Sequence, residues 1–260
     1  MYAPERQQEI LRLARERGRV EVPALAEEFD VTPETVRRDL KALDRAGLIR
    51  RVHGGAIPTG RLDFEPDLSE REATAATQKD RIAKAALAEL PAEGSVIIDA
   101  GTTTARLVTA LPLDSRLTVV THALPIAARL AEYPDLTLHL VGGRLRHRTR
   151  AAVGEWALRA YEDINADVTF IAANGFSLAD ADADGKGGLT TPDLAEAAVK
   201  RAMIRAARRV VLLADSAKFG QAHFARFGEL ADVDVLITDE GLSPEDARAI
   251  ERAGTRVVRA

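Results

Sequence analysis

Apolar residues recur along this chain in two rhythms. Over the first sixty residues the rhythm is helical. Ile10, Leu11, Leu13 and Ala14 mark one face of residues 5–17, and Gly18 stops that segment. Residues 23–29, PALAEEF, turn Leu25, Ala26 and Phe29 inward, and Asp30-Val31 turns the chain. Thr32 is a good cap, and Pro33 suits the first helical position, where its missing N–H has no partner to lose. Val36, Leu40 and Leu43 follow at helical spacing, so a third helix packs one face inward until Gly47 ends it. Residues 48–52 then read as a strand with His53-Gly54-Gly55 as its turn.

From Lys79 onward, short apolar runs alternate with helical stretches. SVIID, LTVVT, LTLHLVGG, DVTFIAANG, RVVLLAD, DVLITD and TRVV are separated by KDRIAKAALAEL, TARLVTAL, PIAARLAEY, a helix around 156–161, TPDLAEAAVKRAMIRAA and SPEDARAIERAG. Such alternation predicts an α/β fold with a largely parallel sheet covered on both faces. Ligands of these sheets sit beyond the carboxyl ends of the strands. Those ends carry Asp99, Gly101, Thr102, Thr103 and Thr104; then Thr121 and His122; then Gly142 and Gly143; then Asn174 and Gly175; then Asp215 and Lys218. A glycine followed by three hydroxyls at a helix N-terminus suits a phosphate, although a plain capped strand-to-helix turn has the same composition. Glu196 and Lys200, four apart on a helix, read equally as a surface ion pair and as ligand contacts.

Charge sharpens the reading of the first segment. The chain of 260 residues carries a formal net charge of −4, yet residues 37–53 hold Arg37, Arg38, Lys41, Arg45, Arg50 and Arg51 against Asp39 and Asp44, a local +4. Helix, short helix, tight turn, basic helix and hairpin in that order predict a winged helix-turn-helix whose third helix enters a DNA major groove by its N-terminus. Thr32, Glu34, Thr35 and Arg38 are then candidates for base edges or the nearest phosphates. Arg37, Lys41, Arg50, Arg51 and His53 are candidates for the backbone and the wing. The domains expected are 1–57 for DNA binding, a linker over 58–78 with Phe64 and Leu68 tucked against one side, and an α/β domain over 79–260. Arg71 and Lys79 suit an anion contact, but the reading preferred is a solvated helix face.

Composition excludes several classes of function. A hydrophobic fraction of 46% and a charged fraction of 29% are those of a globular protein. With no cysteine there are no disulfides, thiolate metal sites or cysteine nucleophiles. No stretch reads as a membrane span or signal peptide, so a cytoplasmic protein is expected. The histidines show no metal-ligand spacing, and neither metal nor cofactor is expected.

The string TPETVRRDLKALDRAGLIRRVHGGA resembles the signature of the DeoR family of bacterial transcriptional regulators, in its T-x-R-R-D-L helix and its R-V-H-G-G-A wing. The later strings IIDAGTTT, LTVVTHAL, LVGGRL, EAAVKRAM and ADSAKFG resemble the sensor domain of the same family, which is similar to ribose-5-phosphate isomerase. That resemblance implies an operator-binding repressor released by a phosphorylated sugar. It implies a pocket at Gly101, Thr102, Thr103 and Thr104, with Asp99, Gly142, Gly143, Lys200 and Lys218 nearby. His122 stands where the family usually has Asn, and AANGFS replaces the usual G-x-x-G-I, so ligand identity is the open point. The opening MYAPERQQEI resembles members that regulate fructose use, which makes a fructose phosphate the first candidate. Double-stranded operator DNA and a second copy, as homodimer or homotetramer, are the expected partners. The competing readings are a sugar-phosphate isomerase with an accessory DNA-binding arm, and an unliganded DNA-binding scaffold.

Overall fold

In the computed structural model, residues 2–45, 48–52, 54–58, 65–178 and 187–260 are described. The chain forms two compact units, Met1–Leu62 and Asp63–Ala260. Gly47, His53, Gly60 and Phe64 lie outside the described residues, as do the side chains of Arg45 and Arg50.

The first unit contains helices α1 (Ala3–Arg17), α2 (Val22–Glu28) and α3 (Pro33–Arg45), with strands β1 (Val20–Glu21), β2 (Ile49–Val52) and β3 (Gly55–Pro58). Gly18 ends α1 in the left-handed conformation, as its missing Cβ permits. Thr32 caps α3, its hydroxyl accepting from the Thr35 amide at 3.3 Å. Ile10, Leu13, Leu25, Val36, Leu40, Leu43 and Ile49 form one buried cluster, the stripe that the periodicity predicts. The wing is a sheet of order β1-β3-β2: Val20 and Glu21 pair with β3 and complete it. A two-residue strand ahead of a proline gives no periodic signal, and the sequence reading did not include it.

The second unit opens with α4 (Leu68–Ala73) and α5 (Ala76–Ala86). It continues through β4 (Glu93–Ile98), α6 (Thr102–Ala110), β5 (Arg116–Thr121), α7 (Leu124–Leu130), β6 (Thr137–Leu140), β7 (Arg144–Arg146), β8 (Ala151–Val153) and α8 (Glu155–Glu162). Then come β9 (Val168–Ala172), β10 (Gly175–Ser177), β11 (Gly188–Thr191), α9 (Leu194–Arg205), β12 (Val210–Leu213), β13 (Ala225–Gly228), β14 (Val235–Thr238), α10 (Pro244–Arg252) and β15 (Arg256–Arg259).

Seven strands form a parallel sheet in the order β15-β14-β12-β9-β4-β5-β6. Alternation along the strands divides the core. Val96, Ile98, Phe170, Val211 and Ile237 meet Ile82, Leu107 and Ile126 of α5, α6 and α7. Ile97 and Val120 instead face Tyr161, Val199 and Met203 of α8 and α9, and Leu212 and Leu236 join Ile250 of α10. Strand order reverses between β4 and β9, the crevice where doubly wound sheets hold ligands. Two antiparallel additions were not foreseen: the β7–β8 hairpin and the sheet β10-β11-β13. Gly175, read as a strand end, instead opens β10.

Candidate effector site and nucleic-acid face

The outward face of α3 is cationic through its middle, over residues 37–41. Arg38 and Lys41 are exposed and carry no ion pair among the described residues, whereas Arg37 bonds Glu34 at 3.1 Å. Asp39, counted above against the patch, is only 2% exposed. Its Oδ2 accepts from Arg6 Nε at 2.6 Å and its Oδ1 from Gln7 at 3.0 Å, so it clamps α1 to α3. The surface of α3 is therefore more positive than the sequence count indicates. Asp44 accepts from the Arg51 amide at 3.2 Å and ties the wing to the helix, leaving the Arg51 side chain exposed.

In the second unit, a buried polar group forms at the reversal of strand order. Asp99, directly after β4, is fully buried. Its Oδ1 accepts from the Ala100 amide and its Oδ2 from the Ala172 amide, both at 2.8 Å, while Lys200 Nζ of α9 donates to Oδ2. Lys200 also donates to the Ala172 carbonyl at 2.8 Å. Asp99 thus fixes the lysine across the switch point, and both of its oxygens are engaged. His122, after β5, is buried with Nδ1 3.1 Å from the Tyr161 hydroxyl and Nε2 3.7 Å from Asp99. Burial pushes its pKa down against the opposing pull of Asp99, so the ring is neutral.

Lys218 lies in a short 3-10 turn after β12, with Nζ 3.5 Å from Asp215. Burial lowers its pKa, and Asp215 opposes that. Asp239, after β14, braces this turn by accepting from the Ser216 amide at 2.7 Å and hydroxyl at 2.9 Å. Nothing in the sequence singled out Asp239; its signal was its place at another strand's carboxyl end. Lys79 corrects the reading of a solvated face. It is 3% exposed, donates to the carbonyls of Arg71 and Thr74, and is pushed down to about 8 by burial and then by the charge of Lys218.

The α6 N-terminus completes the group. Thr104 Oγ1 donates to the Gly101 carbonyl at 3.0 Å, and a Cβ on Gly101 would press within 3.0 Å of Ala172 Cβ and Thr104 Oγ1. Thr103 is 1% exposed, and its hydroxyl has no hydrogen-bond partner among the described residues. An unpaired buried hydroxyl is costly, and such costs gather at functional sites.

Thr121, Gly143 and Gly175 make framework contacts. Thr121 Oγ1 donates to the Ile98 carbonyl at 2.8 Å and accepts from the Ala123 amide at 3.2 Å. A Cβ on Gly175 would fall 2.0 Å from the Gln221 carbonyl oxygen, so that glycine permits a backbone approach. Gly142 is exposed with open space around it, and Gly143 passes close to the Val153 carbonyl. Glu196 and Lys200 are both buried and do not form the surface pair. Glu196 accepts instead from Arg146 at 2.5 Å and from Thr149. Burial opposes its charge, yet Lys200, Arg146 and Thr149 together hold it below the ordinary carboxylate range. The described residues contain no cluster of carboxylates and histidines able to hold a metal.

A helix-turn-helix unit with a basic recognition helix, joined to a parallel α/β unit with a cation-rich group at its switch point, defines a ligand-sensing DNA-binding regulator. The models of the DeoR-like helix-turn-helix domain and the DeoR C-terminal sensor domain match residues 6–59 and 74–240. The chain belongs to the DeoR family of transcriptional regulators. It is 37% identical to the HTH-type transcriptional regulator GlpR of Haloferax volcanii, over 99% of this chain and 98% of that protein. It is 33% identical to the glycerol-3-phosphate regulon repressor of Escherichia coli, over 92% of each. Ribose 5-phosphate isomerase A from Neisseria gonorrhoeae overlaps 54% of this chain and 52% of that one, at 18% identity and a TM-score of 0.37. The relatives are regulators, and this chain is a regulator rather than an enzyme. No helix among the described residues is long and apolar enough to cross a membrane.

Proposed function

We propose that the protein represses a carbohydrate-catabolism operon and leaves its operator when a phosphorylated sugar binds the second unit. The observation that carries this reading is the convergence on one switch point of Lys200, Lys218, Lys79 and the α6 N-terminus with its unpaired Thr103 hydroxyl. A helix N-terminus and fixed ammonium groups suit a phosphate dianion. Gly101, Thr102, Thr103 and Thr104 cradle the phosphate in this reading, and Lys200 and Lys218 neutralise it. Asp99 and Asp215 position those lysines, and Glu196 faces the sugar hydroxyls.

Arg38 and Lys41 support the operator half of the reading, with Thr32, Glu34 and Thr35 at the leading end of α3. One recognition helix covers too few base pairs for tight binding, so the protein acts in the cytoplasm as a homodimer or homotetramer on repeated half-sites. Trp156, 78% exposed on α8, and exposed Leu194 supply apolar surface for such an assembly. A fructose phosphate is the first effector to try, with glycerol 3-phosphate beside it because one relative is named for that regulon.

The test is fluorescence anisotropy on a fragment of the protein's own promoter region, titrated with a sugar-phosphate panel. Release by a phosphorylated sugar, and not by its unphosphorylated form, is the expected result. Operator binding indifferent to the whole panel would defeat the effector half.

A further inference from the structure

Glu65 stands two positions after Asp63, where the second unit begins, and seven after Pro58, the end of the wing strand β3. Its carboxylate is buried among cations. Arg146 Nη2 lies 2.8 Å from Oε2, Arg71 Nη1 lies 3.6 Å from Oε1, and Arg148 donates to the Glu65 main-chain oxygen. The Arg146 guanidinium also reaches Glu196 at 2.5 Å and Asp193 at 3.4 Å. One side chain thus ties the entering segment to α9, the helix whose Lys200 is held on Asp99. Oε1 of Glu65 is buried yet accepts no hydrogen bond among the described residues, since 3.6 Å from Arg71 is too long for one. Glu65 is an anion held in a place that could satisfy an anion better.

The arrangement is also shut. Thr103, Lys200, Glu196 and Asp99 are each less than a tenth exposed, so a sugar phosphate reaches none of them until something moves. The strands are locked by their ladders. Residues 65–75 are held differently, by the Glu65 ion pairs, by Lys79 of α5 on the carbonyls of Arg71 and Thr74, by Arg106 on the Glu72 carbonyl, and through a helix of only six residues.

We propose that Glu65 is an internal carboxylate ligand of the effector site, occupying Arg71 and Arg146 until the phosphate of a sugar phosphate displaces it. The proposal rests on the effector reading above and states how that site is regulated. Arg71 interacts electrostatically with both Lys218 and Lys79, so a phosphate dianion seated at the α6 N-terminus beside those lysines competes with Glu65 for it, with more charge and one more oxygen than a carboxylate. Once displaced, Glu65 frees residues 65–71, which begin seven positions beyond the wing strand in sequence, and so ligand occupancy is passed toward the DNA-binding unit. Apparent affinity falls by the fraction of molecules in which the site is open, so a latch open about one tenth of the time weakens binding about tenfold.

The test uses the full chain and three probes: fructose 1-phosphate, glycerol 3-phosphate and inorganic phosphate. Glu65→Gln keeps the shape and removes the charge. It should bind a probe about tenfold tighter than wild type by calorimetry, and its operator affinity without ligand should drop toward the liganded value. In wild type, saturating probe should speed amide exchange over residues 65–71. Binding by Glu65→Gln where wild type shows none also supports the latch. Equal affinities with unchanged exchange overturn the latch and leave the effector reading standing. Absence of binding by both proteins to all three probes overturns the effector reading and the latch with it. Should Glu65→Gln melt too low to assay, exchange in wild type decides: faster supports the latch, and unchanged or slower overturns it.

Discussion

Thr103→Val should raise the stability of the ligand-free protein while lowering its affinity for the effector. The side chain is 1% exposed, at the second position of α6, and its hydroxyl has no hydrogen-bond partner among the described residues. Burying a hydroxyl without a partner costs about 1–3 kcal/mol by protein mutational data. Valine keeps the branched shape, replaces the hydroxyl with a methyl and leaves no orphaned partner behind, so most of that cost is relieved. At about 2–4 °C per kcal/mol for a unit of this size, the melting temperature should rise by several degrees. With effector present the sign reverses, because the phosphate loses a donor and the ligand-induced shift in melting temperature shrinks. Thr169→Val is the control. Its buried hydroxyl is likewise unpartnered but lies within β9, so it should stabilise without touching the ligand response. Differential scanning calorimetry with and without fructose 1-phosphate measures both effects. A Thr103→Val protein that melts below wild type, or responds to ligand as wild type does, would refute the reasoning.

Arg38→Ala should weaken operator binding by about 1–3 kcal/mol if Arg38 reads a base. Lys41→Ala should weaken binding to any sequence and lower the salt slope by about 1; gel shifts at several salt concentrations separate the two. Lys200→Met leaves the Asp99 carboxylate fully buried without its cation and should cost about 3–5 kcal/mol in urea unfolding, with part recovered by adding Asp99→Asn. His122 has its pKa lowered by burial, so below the ordinary value of 6.5 the unfolded chain binds the proton first. Its contribution is present above pH 6.5 and lost as pH falls below it, and His122→Asn should flatten that limb of a stability–pH curve.

Local chemistry is legible wherever the chain's own neighbours decide it. The cap at Thr32, the stop at Gly18 and the stripe of Val36, Leu40 and Leu43 follow from backbone hydrogen bonding and helical period alone, and the structure has all three. The alternation of apolar runs with helices likewise dictates a parallel sheet, because strands buried on both faces need crossovers. The antiparallel pieces β7–β8 and β10-β11-β13 escaped notice because three- and four-residue strands are too short to show a period. Lys79 and Asp39 were misplaced because charge in a sequence reads as solvation, whereas each is buried on partners brought by another part of the fold.

The sequence by itself determined a DNA-reading module, an α/β sensor and the strand ends where a ligand would sit, because periodicity and turn chemistry act over a few residues. Only the tertiary structure decided which charges meet. Lys200 reaches Asp99 across 101 positions of chain, and Arg146 joins Glu65 to Glu196 across 81 and 50. Those pairings depend on how strands are ordered in the sheet, and strand order is set by packing of the whole core rather than by any local pattern. That is why Glu65, unmarked in the sequence, is joined through Arg146 to Glu196 on α9, the helix that carries Lys200.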